Sequence, residues 1–183
     1  MKKINTIKNS ILVLFIISTS LQFKCLGQNL QHQDSINIKL INAAKEIMSE
    51  AGTCALITLD EKNHPMVRVM DPFLPDSDLT VWFGTNPKSR KVSQIKNNPT
   101  VTLYYLEKNE SGYVVIHGKA ELIDDEQEKE KRWKPEWEAF YPNKSEGYLL
   151  IKVIPNSMEI ISYAHGIIGD PVTWETPIVI FKD

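Results

Sequence analysis

Cysteine is scarce in this 183-residue chain, with Cys25 and Cys54 its only two. A disulfide framework therefore does not hold the fold, and stability must come from a core or a partner subunit. Basic charge is not in excess either, since 21 Lys plus Arg face 23 Asp plus Glu for a formal charge of −2. Without a basic face to neutralise phosphates, general nucleic-acid binding is excluded. The four histidines, His32, His64, His117 and His165, show no metal-ligand spacing. No arginine follows Arg132. A Gly-rich nucleotide loop, a nucleophilic triad and a paired-carboxylate signature are all missing. The apolar run Ile11–Ser18 is too short to span a bilayer.

That run has its own meaning. MKKINTIKNS, then ILVLFIIS, then the polar STSLQFKCLGQ follow the order of a secretory signal peptide. Cys25 and Gly27 at positions −3 and −1 favour cleavage after Gly27, which makes residues 1–27 the signal and 28–183 one mature domain. Lys24 disfavours a lipid anchor on Cys25, and there is no twin arginine, so export before folding is expected. The expected product is a soluble periplasmic protein with no stable membrane partner. Cleavage removes Lys2, Lys3, Lys8 and Lys24 and no acid, so the 21 basic residues fall to 17 against 23 acids, a charge of −6. Only Cys54 then remains.

Apolar periodicity predicts a helix started by Asp34 or Ser35 and ended by Gly52, with Ile36, Leu40, Ile41, Ala44, Ile47 and Met48 on one face. The period then changes to two. Thr53–Leu59, Met66–Pro72, Leu79–Gly84, Thr100–Leu106 and Tyr113–Ile123 read as strands between turn-forming runs, and Tyr148–Ile154, Met158–Tyr163 and Ile178–Phe181 follow. Lys88–Asn97 reads as a short helix with Val92 and Ile95 inward, stopped by Asn98-Pro99. The run DDEQEKEKRWKPEWEAF begins as a solvated helix and bends near Pro135. Many strands and few helices imply a mainly β domain with flanking helices, arranged as a small barrel.

The stretch FGTNPKSRKVSQIKNNPT carries the chemistry. A strand delivers the chain to Thr85, and the next helix begins beside Ser89, Arg90 and Lys91. Cations oppose the partial positive charge of a helix start, so this pair is misplaced unless an anion joins it. Free N–H groups, hydroxyls and two cations together make a phosphate site. Arg68, alone in the apolar strand MVRVM, also needs an anionic partner. A solvated Ser-Arg-Lys loop and a structural carboxylate for Arg68 are the plainer alternatives.

WFGTNPKSRKVSQIKNNPTVTLYY resembles the flavin-phosphate segment of the pyridoxamine 5′-phosphate oxidase superfamily, and the resemblance extends over residues 40–163. It is similar above all to the general stress protein branch, through Gly118-Lys119-Ala120, Trp133-Lys134-Pro135, Phe140-Tyr141-Pro142 and Val153-Ile154-Pro155. The resemblance implies an FMN-binding split β-barrel that forms a homodimer, with FMN at the subunit interface. It implies that Arg68, Ser89 and Lys91 hold the phosphate, that Arg90 assists, and that Thr85 faces the ribityl chain or ring. Val69 and Met70 would lie near the flavin edge, with Trp82 in the strand leading to it. Relatives with this barrel also accept haem or a deazaflavin. A flavin-dependent oxidoreductase and a flavin-binding protein without turnover are both compatible with the pattern.

The departures restrict that expectation. Phe73 stands where the oxidases carry a phosphate-binding lysine, Tyr113 where they carry a glutamine, and the C-terminal arginines that read the substrate phosphate are missing. Vitamin B6 oxidation is therefore not expected. His117 reads as a satisfied barrel residue, His64 as solvated, and His165 sits in a glycine-flanked loop that can overhang the cleft. Cys54 is expected to pack rather than react, and Trp133, Trp137, Phe140 and Tyr141 to cover the barrel or form a subunit contact.

Overall fold

The computed structural model describes residues 31–141 and 147–181. The proposed signal segment, the new N-terminus at Gln28 and Pro142 lie outside the described residues. The chain divides into two compact units, Met1–Lys39 and Leu40–Asp183. In the first, residues 31–39 are helical, with Gln33 donating to Asn37 one turn on. In the second, residues 40–51 are helical and form α1, which ends at Gly52 with φ 68°. Glycine suits that left-handed stop because it carries no Cβ.

Among the described residues seven antiparallel strands follow: β1 (Cys54–Leu59), β2 (Pro65–Met70), β3 (Val81–Thr85), β4 (Thr100–Leu106), β5 (Gly112–Ile123), β6 (Leu149–Ser162) and β7 (Ile178–Ile180). The sheet order is β2-β1-β4-β5-β6-β3, with β7 on β6. The sheet does not close as a ladder. Its ends, β2 and β3, approach through a single bridge between Pro72 and Phe83 and the bond from Phe73 N–H to the Trp82 carbonyl. This is a split barrel.

Period-two alternation assigns its two faces. Leu56, Leu103, Ile116, Met158, Val153 and Phe83 are fully buried, and they share one core with Leu40, Ala44 and Ile47 of α1. The opposite face carries a continuous row across five strand pairings, Val69–Ala55–Tyr104–Val115–Glu159–Ile178. A second row runs Val67–Ile57–Thr102–His117–Ser157–Ile180. Val67, Val69, Tyr104, Ile178 and Ile180 are exposed there.

The sequence reading divides residues 148–163 into two strands at Pro155-Asn156, whereas β6 runs unbroken. A register shift between His117 and Gly118 absorbs the extra residue, so Pro155 pairs with Gly118 and Ser157 with His117. A bulge tolerates proline and gives the unpaired carbonyl another partner, here the N–H of Phe181, which donates to Asn156.

Two helices cover the barrel. Helix α2 (Arg90–Asn97) buries Val92 and Ile95, and α3 (Glu126–Lys131) is capped by the Asp125 carboxylate, which accepts from Glu128 N–H. The acidic-basic run is not wholly solvated, because the Lys129 side chain is buried and its ammonium pairs with Asp124 at 2.9 Å and Glu126 at 3.2 Å. A 3₁₀ turn (Pro135–Ala139) then sets Trp137 into a second cluster with Trp82, Tyr148 and Leu150, flanked by Phe73, Trp133 and Tyr141. Phe140 stays exposed.

Candidate functional site

The β1–β2 register places Arg68 opposite Leu56. Its guanidinium donates through Nη1 to the Leu56 carbonyl at 3.2 Å and to Thr58 Oγ1 at 2.7 Å, and through Nη2 to Gln94 Oε1 at 3.0 Å. Thr58 is fully buried and donates its own hydroxyl to the same Gln94 oxygen at 2.6 Å. These neutral acceptors orient the cation and leave its charge uncompensated.

The β3–α2 junction supplies the rest. Thr85 ends β3 almost fully buried, its Oγ1 3.2 Å from Ser89 Oγ and accepting from Lys91 Nζ at 3.0 Å. Ser89 caps α2 with extended backbone but does not use its side chain for the cap, and no acid stands in the first turn. Among the described residues the N–H groups of Arg90 and Lys91 have no acceptor.

Electrostatics mark this group as incomplete. Among the described residues, Arg68, Arg90 and Lys91 form no ion pair. Burial, and next the charge of Arg68, hold the Lys91 ammonium below the usual lysine value. Burial, and next the charge of Arg90, act on Arg68 in the same direction. Three like charges kept together at a desolvated helix start fit a phosphate dianion, which would relieve each of these effects. A cleft of about 360 Å³ reaches this group at Arg90 and is lined also by Gln94, Asp60, Glu61 and His64.

The structure thus brings together Arg68, Thr85, Ser89, Arg90 and Lys91. Trp82 does not join them, because alternation along β3 turns it to the face opposite Thr85. Its Nε1 donates to Asp76 at 2.9 Å and its ring lies 3.6 Å beneath the Arg132 guanidinium. Met70 is buried in the main core and Val69 points out from the exposed row. His165 does not overhang the cation group. Its Nδ1 lies 2.8 Å from Ser162 Oγ and its Nε2 3.4 Å from Glu46, over the buried Glu107. His117 is satisfied between Thr102 at 3.1 Å and Glu159 at 3.2 Å. Cys54 is buried, and desolvation pushes its thiol up to about 12. Sequence spacing alone does not point to Gln94 or Thr58. The available signal was a threonine at an inward position of β1, since a buried hydroxyl requires a partner.

Residues 39–166 match the model of the family described as pyridoxamine 5′-phosphate oxidase like. The chain belongs to the pyridoxamine 5′-phosphate oxidase-like family. Within it, general stress protein 26 of Bacillus subtilis (strain 168) is 27% identical over 106 residues, covering 56% of this chain and 74% of that protein. The crystal structure of general stress protein 26 from Bacillus anthracis str. Sterne superposes with a TM-score of 0.59 at 25% identity, over 67% of this chain and 93% of that one. A related protein from Clostridium acetobutylicum, at 19% identity and TM-score 0.64, covers 78% of this chain and 94% of its own, and shares the fold. This oxidase-like family match contains the whole cation group and stops before β7.

Proposed function

We propose that this protein is an exported FMN-binding member of its family and acts as a flavin-dependent oxidoreductase on a substrate other than a B6 vitamer. The observation that carries the reading is that Arg68, whose charge acts on Lys91 and feels that of Arg90, stands with them near the linked Thr85 and Ser89 hydroxyls, while none of the three cations forms an ion pair among the described residues. In this reading Lys91, Arg68 and Ser89 bind the flavin phosphate, Thr85 keeps Lys91 in place, and Gln94 and Thr58 fix the guanidinium plane. The bound isoalloxazine would supply the electron transfer, so the chain itself needs no strong acid or base.

Members of this family commonly bind flavin and are often dimeric, and the exposed apolar rows offer a surface for a second copy. Tyr104, Val67, Val69, Ile178 and Ile180 lie on one continuous sheet face, and Arg68 belongs to the same strand as the two valines. An isologous contact there brings a flavin held by Arg68 to the subunit boundary.

Titration of the purified protein with FMN, riboflavin and haemin tests the reading. The expected result is one FMN per subunit, bound more tightly than riboflavin, with the flavin bleached by NAD(P)H and reoxidised by an acceptor. Equal affinity for FMN and riboflavin removes the phosphate assignment, a Soret band with haemin alone replaces the cofactor, and saturable FMN that no donor reduces leaves a binding protein without turnover.

A further inference from the structure

A cavity of about 440 Å³ lies between β5, β6 and the loop that joins β6 to β7. Tyr113, Ile161, Tyr163, Ile168 and Trp174 form its apolar walls and Asp170 its rim. Its lining includes no residue of β1–β3 or α2, so it is separate from the Arg68 group. Most of the loop also lies beyond residue 166, where the family match ends.

The loop is built to hold one side chain out. Asp170 Oδ1 accepts from the N–H groups of Val172 at 2.8 Å and Thr173 at 2.7 Å. Asp170 N–H donates to the Glu175 carbonyl and Trp174 N–H to the Asp170 carbonyl, both at 2.9 Å. This clamp sets Trp174 at φ 63°, a conformation that bulky residues rarely adopt, with 86% of the residue exposed. An indole is normally a packing residue. Here it is strained and exposed, and among the described residues its ring meets no other ring and its Nε1 no acceptor. Strain with no packing return is characteristic of a ligand clamp. Tyr163, 72% exposed, stands at the same opening.

We propose that this cavity binds a flat aromatic molecule carrying no negative charge. Its volume falls in the range of small-molecule sites, which combine apolar and aromatic walls with few polar groups. The electron-rich faces of Trp174, Tyr163 and Tyr113 attract neutral or cationic rings. The Asp170 carboxylate adds a negative charge to the lining, while no Lys, Arg or His lines the cavity. An aromatic anion would therefore meet only repulsion.

Calorimetry on the full chain with N-methylquinolinium, quinoline and 2-naphthoate provides the test. N-methylquinolinium and quinoline should bind saturably at one per chain, and 2-naphthoate at least about tenfold more weakly. Trp174→Gly removes the ring and suits the positive φ, so it should melt no lower than the parent yet lose about tenfold or more in affinity. Trp174→Phe should retain most of the binding. Asp170→Asn keeps the Oδ1 acceptor and should abolish only the preference for the cation over quinoline. Absence of saturable binding for every probe, equal binding of 2-naphthoate, or unchanged affinity in Trp174→Gly would each overturn the proposal. So would a dimer in sedimentation velocity that Trp174→Gly dissolves while no probe binds, since Trp174 would then be a subunit contact.

Discussion

Replacing Lys91 by methionine separates a ligand-binding lysine from a structural one, because the two roles give opposite signs. In the ligand-free protein Lys91 is half-buried, stands near Arg68, and has one neutral acceptor, Thr85 Oγ1 at 3.0 Å. Losing that bond should cost about 1 kcal/mol. Relief of the buried charge and of its repulsion by Arg68 offsets a similar amount, because apolar replacement of a poorly compensated charge is often neutral or stabilising by about 1 kcal/mol or more. Thr85 keeps Ser89 as a neighbour at 3.2 Å, so its hydroxyl is not orphaned. The melting temperature should therefore change by no more than about 4 °C in either direction, the equivalent of roughly 1 kcal/mol.

FMN affinity should respond differently. A charge-assisted phosphate bond contributes about 1.5–3 kcal/mol, so Lys91→Met should weaken FMN binding roughly 10- to 150-fold, with riboflavin little affected. Calorimetric titration of both flavins, beside thermal melts without ligand, gives the two numbers. A drop of about 3 kcal/mol in stability with unchanged flavin affinity would refute the reasoning and make Lys91 a structural cation.

Further consequences concern pH, the core and the thiol. The unfolded chain holds the Lys91 proton more strongly than the folded one, so above neutrality the parent should gain stability relative to Lys91→Met as pH rises toward the ordinary lysine value, and saturating phosphate should remove that gain; denaturant titrations from pH 7 to 10 measure it. Tyr105→Phe should leave stability unchanged or raise it by up to about 1 kcal/mol, since the buried Tyr105 hydroxyl has no stronger neighbour than the weakly hydrogen-bonding Cys54 thiol; a clear loss in urea unfolding would show that this contact stabilises the core. Gly84→Ala should cost about 1–3 kcal/mol, because its Cβ would enter the Trp137 and Tyr148 rings, an effect visible as a lower melting temperature. In a Cys25→Ser background, Cys54 should resist a disulfide reagent at pH 8 in the native protein and react at once in denaturant, because burial raises its pKa to about 12.

Local signals read correctly wherever the governing physics is local. Alternating β-branched and aromatic residues announced most strands to within two residues, because period two separates core from solvent on each strand by itself. Ser89-Arg90-Lys91 was conspicuous because cations at a helix start are unfavourable over a few ångströms of chain, whatever lies elsewhere. Arg68 stood out for a similar reason, as one guanidinium inside an apolar strand.

Other features depend on residues far apart in sequence. Gln94 meets Arg68 across 26 positions and Thr58 across 36, so only the packing of α2 on β1 and β2 could reveal that neutral oxygens would orient the guanidinium. Trp82 belongs to the aromatic cluster rather than to the cation group because the pairing of β3 with β6 assigns its face. His165 was drawn away from the cleft by Glu107, 55 positions before the Ser162 that links them. The amino-acid sequence by itself determined the strand pattern, the helix-start cations and the lone strand arginine, each through forces that act between near neighbours. Tertiary structure alone decided which of these charges share a site and which aromatic residues face it, because burial and hydrogen bonding are set by the whole fold.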